Sequence, residues 1–133
     1  MTRILMLGGD PDVVEAGRMV LVREGYTVAM ATDIKDAMAL RDHFQPNLLF
    51  IDVLGHDLSD AADLATKAHE GGMRIPALVM ANRGRGVAFY MHCGDGTLTP
   101  APDFPEKPME PAALRKNVQF ALAHGCKGQM PAS

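Results

Sequence analysis

The chain has 133 residues, 47% of them hydrophobic, and a net charge of −3. That is enough apolar content for one domain with one core, too much for a disordered chain, and no electrostatic basis for nucleic acid as the main partner. Arg3 and Asp10 interrupt the apolar start and no run approaches membrane-spanning length, so neither a membrane span nor a secretion signal is expected.

Residues 3–7 form a short apolar run stopped by Gly8-Gly9, which predicts a first strand and a turn. Asp10 or Asp12 then caps a helix with Pro11 in its first turn. Val13, Val14, Gly17, Val20 and Leu21 recur at helical spacing, and Gly25 ends the helix. Residues 26–30 read as a second strand. Thr32 or Asp33 caps a second helix carrying Ile34, Ala37, Met38 and Phe44, which Pro46-Asn47 breaks. Residues 48–53 are apolar at successive positions, as in a strand covered by helices on both faces, and Asp52 stands at its end. Ser59 or Asp60 opens a third helix that Gly71-Gly72 stops, and residues 75–81 make a fourth apolar strand.

Beyond Ala81 the pattern weakens. Residues 87–93 suit a short helix or an extended segment, and Gly94-Asp95-Gly96 a turn. With Pro100, Pro102, Pro105 and Pro108 nearby, a fifth strand must be short or lie at an edge. Pro111 opens a last helix with Leu114, Val118, Ala121 and Leu122 on one side. Residues 1–124 read as one domain and 125–133 as a tail. Repeated strand–helix units predict a parallel sheet with helices on both faces. Ligands then bind beyond the carboxyl ends of the strands, at Gly8, Gly9, Asp10, Asp52, Ala81, Asn82 and Lys107.

The chain resembles the receiver domain of two-component response regulators over residues 3–124. The resemblance is carried by Pro46-Asn47-Leu48-Leu49-Phe50-Ile51-Asp52-Val53, by Ile75-Pro76 before the fourth strand, and by Lys107-Pro108 before the last helix. It implies a flavodoxin-like, doubly wound α/β fold with a five-stranded parallel sheet in the order 2-1-3-4-5. The fourth helix and fifth strand are expected to be irregular here. It also implies that Asp52 matches the aspartate that takes a phosphoryl group from a histidine kinase, and Lys107 the lysine that pairs with the phosphoryl oxygens. The family's two magnesium-holding acids fall on Gly8 and Gly9, which offer no side-chain ligand. Asp10 and Asp12 stand close in sequence, but Asp10 comes one place late. The expectation is therefore no cofactor, with magnesium only if Asp10 and Asp52 suffice. Ala81 stands where the family carries a Ser or Thr hydroxyl, and neighbouring Asn82 points to the other face of the strand. His56 stands where proline is common, and Phe104 matches the aromatic of the fifth strand.

Other features have plainer readings. Gly8-Gly9 is a strand-to-helix turn, since no phosphate-loop pattern follows. Arg83-Gly84-Arg85-Gly86 reads as a solvated loop. His92-Cys93, His124 and Cys126 lack zinc-like spacing, and the two cysteines read as reduced thiols of a cytoplasmic protein. The ten methionines read as core fillers or a plastic contact surface.

The expected function is a stand-alone receiver-like signalling module, a degenerate receiver acting through a kinase or effector protein with weak or no magnesium-dependent phosphorylation. A working phosphoacceptor is the first alternative, and a small-ligand-binding flavodoxin-like domain the second. It is not expected to be an enzyme. A homodimer is possible, though not through the usual face of fourth helix, fifth strand and fifth helix.

Overall fold

The computed structural model describes residues 2–8, 11–52, 58–72, 75–83, 86–92, 98–100 and 111–124. Ten elements follow one another: β1 (Arg3–Gly8), α1 (Pro11–Arg23), β2 (Thr27–Ala31), α2 (Ile34–Phe44), β3 (Leu48–Asp52), α3 (Leu58–Glu70), β4 (Ala77–Arg83), β5 (Gly86–His92), β6 (Leu98–Pro100) and α4 (Pro111–His124). They form a six-stranded sheet in the order β2-β1-β3-β4-β5-β6.

The first four strands are parallel, and two apolar clusters sandwich them. Ile4, Met6, Leu48, Phe50, Leu78 and Met80 point to one face, against Val14 and Leu21 of α1 and Leu114 and Val118 of α4. Leu5, Leu7, Leu49, Ile51 and Val79 point to the other, against Ala37 of α2 and Ala61, Ala65 and Ala68 of α3. This alternation explains why Ile4 to Leu7 of β1 and Leu48 to Ile51 of β3 are apolar at successive positions: each face has its own core. Small alanines on α3 let that helix lie close to the sheet.

Local chemistry sets the boundaries. Asp33 caps α2 by accepting a hydrogen bond from Asp36 N at 2.8 Å. Gln45 closes it in the left-handed conformation (φ 51°), its N–H reaching Arg41 O at 2.8 Å. Gly25 (φ 91°) makes the turn from α1 into β2. Asn47 then ties β3 to β1. Its side-chain oxygen accepts from Arg3 N at 2.8 Å, and its own N–H donates to Arg3 O at 2.7 Å.

The flavodoxin-like α/β architecture and the order 2-1-3-4 of the first four strands match expectation. Two features of the distal half differ. β5 runs antiparallel to β4, from Ala77↔His92 to Arg83↔Gly86, and β6 adds a sixth, antiparallel strand, so the sheet is mixed. Among the described residues no helix stands between β4 and α4. The Arg83–Gly86 stretch is accordingly shorter as a loop than expected, because Arg83 ends β4 and Gly86 begins β5. The physical reason is legible in hindsight. Gly84-Arg85 between two β-rich runs is a two-residue Gly-X hairpin signal, and Val87, Phe89 and Tyr90 favour strand over helix. The short edge strand among prolines is found as β6. The expected tail, 125–133, lies outside the described residues.

β5 is fixed to the helical layer by a buried polar contact. His92 is 1% exposed, and its Nε2 shares a hydrogen bond of 3.1 Å with Thr66 Oγ1 of α3. Met6, Met80 and Met91 fill the core, whereas Met19 and Met30 are exposed. Replacing Thr66 with Val keeps its shape and removes the hydroxyl. The expected cost is about 1 kcal/mol in urea unfolding, with the unfolding slope unchanged.

Candidate functional site

The parallel strands end together, and Asp52 lies on that edge as the last residue of β3. It is 6% exposed. In register it lies between Gly8 of β1 and Met80 of β4. The alternation of β3 puts its side chain on the face of Phe50, the face covered by α1 and α4.

Gly8 is the tightest point of this edge. A Cβ placed there would lie 2.6 Å from Val14 Cγ2, 3.1 Å from Asp52 Cβ and 3.4 Å from Asp52 Oδ2. Glycine thus permits α1 to pack down onto the strand ends beside the carboxylate. Val14 is 5% exposed and Met80 6%, so two apolar side chains stand around Asp52 on its own sheet face. Neither stands out as a site residue in the sequence. Val14 lies on the apolar face of the first helix, but a repeat of apolar residues does not say which of them meets a strand end.

The receiver resemblance implies a divalent cation on this edge. Gly8 supplies neither a ligand nor the space for one. Among the described residues no three acids, histidines or cysteines stand close enough together to hold a metal ion. The described donor set does not fit the group. Ala81 is 1% exposed and packs with Ile51 and Val79, on the face opposite Phe50 and Met80. Lys107, Gly9, Asp10, His56, Phe104, Cys93 and Cys126 lie outside the described residues, as do the side chains of Asn82 and His124. Of the His/Cys group, His92 is committed to Thr66 in the core.

Beside Gly8 a cleft of about 530 Å³ opens between α1 and β2, lined by Gly8, Asp12, Val14, Glu15, Met30, Ala31 and Thr32. Its acids are partly engaged. Arg18 forks onto Glu15, with Nε donating to Oε2 at 2.9 Å and a second nitrogen donating to Oε1. These hydrogen bonds hold the Glu15 carboxyl below its ordinary range, against a smaller opposing effect of desolvation. At the opposite end of the sheet a larger cleft, about 860 Å³, carries Arg3 and Arg41. It is a poor anion site. Arg3 Nε donates to Gln45 O at 2.9 Å and Arg41 donates to Gly71 O, so both guanidinium groups cover carbonyls at helix C-termini.

A doubly wound sheet whose first four strands run parallel in the order 2-1-3-4, with an aspartate at the end of the third, is similar to that of response-regulator receiver domains, and the chain resembles them along its length. It is 25% identical over 130 residues to the transcriptional regulatory protein TrcR of Mycobacterium tuberculosis (strain ATCC 25618 / H37Rv), covering 98% of this chain and 49% of that protein. The chain thus spans about half the length of this curated relative. Among solved structures it is similar to NtrX from Brucella abortus (TM-score 0.68, 23% identity, 97% of this chain and 28% of that one). It is also similar to a CheY-like response regulator receiver domain protein from Methanospirillum hungatei JF-1 (TM-score 0.66, 19% identity, 96% and 98%). No protein-family model matches the chain.

The Glu15–Arg18 pair gives a signed pH prediction. A carboxyl whose folded pKa is lowered contributes stability above its unfolded pKa, and loses it as pH falls through the folded value. In Arg18→Gln the Glu15 carboxyl is expected to titrate at higher pH than in the parent chain, read by carbon-detected NMR. The pair is solvent-exposed, so the effect on overall stability is expected to be small.

Proposed function

We propose that the protein is a receiver-like signalling module of the two-component type, with residues 1–124 as the receiver-like domain and Asp52 as the retained centre of its pocket. It acts through contacts with a histidine kinase or an effector protein, and magnesium-dependent phosphorylation at Asp52 is weak or absent. The observation that carries this reading is the packing of Gly8: the place of a metal-holding acid is taken by a glycine wedged between Val14 and Asp52. Phosphoryl transfer to a carboxylate needs a cation to neutralise charge on the transferring group, and glycine cannot help to hold one.

By the receiver resemblance, Lys107 is the companion expected for Asp52, or for a phosphoryl group carried on it. Asp10 is the remaining acid that could join Asp52 around magnesium. The distal surface supports a different mode of partnering. β5 and β6 stand where the resemblance implies a helix and a parallel strand, so a homodimer built on the usual face of fourth helix, fifth strand and fifth helix is not expected. Any output passes to another protein or to a domain beyond these residues, and no enzymatic turnover is assigned to the module itself.

The test is intact-mass measurement after incubation with magnesium and acetyl phosphate. The expected spectrum shows the unmodified chain. A phosphoryl adduct that disappears in Asp52→Ala would overturn the reading in favour of a working phosphoacceptor.

A further inference from the structure

We infer that Val14 closes the cation position beside Asp52, so that this edge cannot regain a metal by recovering an acid at position 8 alone. This deepens the proposed reading and rests on it: the missing acid and the apolar side chain that fills its place are two parts of one change.

Three observations meet here. The first is the distance of 2.6 Å between a Cβ at position 8 and Val14 Cγ2, closer than real Cβ contacts come, so one of the two must move. The second is that Val14 is badly placed to move. It is β-branched, sits within α1, and a helix leaves valine essentially one side-chain rotamer. It is also 5% exposed and packed in the cluster of Ile4, Met6 and Phe50, so α1 cannot lift locally without opening that core. The third is the register Gly8↔Asp52. With Cβ of residue 8 only 3.1 Å from Asp52 Cβ, the new side chain cannot escape Val14 by leaning toward β3. Any residue larger than glycine is caught between the helix and the carboxylate. If Val14 is trimmed, the closest of these contacts is relieved. A carboxylate at position 8 would then stand beside Asp52, and magnesium is usually bound through one or two carboxylates.

A double-mutant cycle decides the matter, using wild type, Gly8→Asp, Val14→Ala and Gly8→Asp/Val14→Ala, with Val14→Ser as a second trimming variant should the alanine fold poorly. Two readouts are taken: thermal midpoint without metal, and magnesium binding by isothermal titration. Gly8→Asp is expected to lower the midpoint by roughly 5–10 °C, as overpacking does in a domain of this size. Val14→Ala is expected to lower it alone but to raise it in the Gly8→Asp background, a reversal of sign that independent sites do not show. Magnesium is expected to bind the double variant at least about tenfold more tightly than either single variant, and to lose that gain on adding Asp52→Asn.

If Gly8→Asp alone is as stable as wild type, or binds magnesium as well as the double variant does, the inference is overturned. A double variant that shows no reversal of sign, or no gain in magnesium binding, overturns it as well. Failure of the underlying reading looks different. Wild type itself would then bind magnesium and lose it with Asp52→Asn, whatever the cycle shows at position 8.

Discussion

The pairing of β1 with β3 is the constraint on which the rest depends. Five parallel partners, from Ile4↔Leu48 to Gly8↔Asp52, put each apolar residue of β1 beside one of matching face on β3. A slip of one residue would turn every side chain of one strand to the wrong core, so the two apolar clusters hold the register from both sides. Asn47 and Arg3 hold it from the end with reciprocal hydrogen bonds. The same register brings Gly8 against Asp52. The burial of the four residues before it, Leu48 to Ile51, carries the carboxylate to the end of β3.

Much of this was legible in the chain itself. The punctuation of β1 by glycine, the Asp33 cap, the continuous apolar run of β3 and the proline at the start of α4 each have a local cause, and each appears where that cause puts it. Asp52 at the carboxyl edge of the parallel strands followed from the strand–helix alternation alone. What sequence could not give was contact. Val14 and Met80 look like any other core residues until the register brings them to the carboxylate. The distal half misled for another reason. A stretch that suits either helix or strand is decided by what lies next to it, and the free edge of β4 offered a row of hydrogen-bonding groups that a helix could not have used.

Degeneration of a metal site is usually pictured as the removal of ligands. On the proposed reading, the Gly8 edge has instead the character of repacking: the volume that a larger side chain would occupy is taken by Val14 of α1, which packs into the core. On that reading, such packing favours the folded domain over an open, charged pocket, and a single added side chain at position 8 would be overpacked.

The hairpin of β4 and β5 has a consequence for how the chain reaches this structure. β1, β3 and β4 can join only after a helix has been laid across the sheet, and each such pairing waits on closing a long loop. β5 meets its neighbour across two residues, so its ladder can zip within microseconds, before the parallel strands have met. The β4–β5 hairpin is thus the local pairing in a sheet whose parallel strands are joined through long connections.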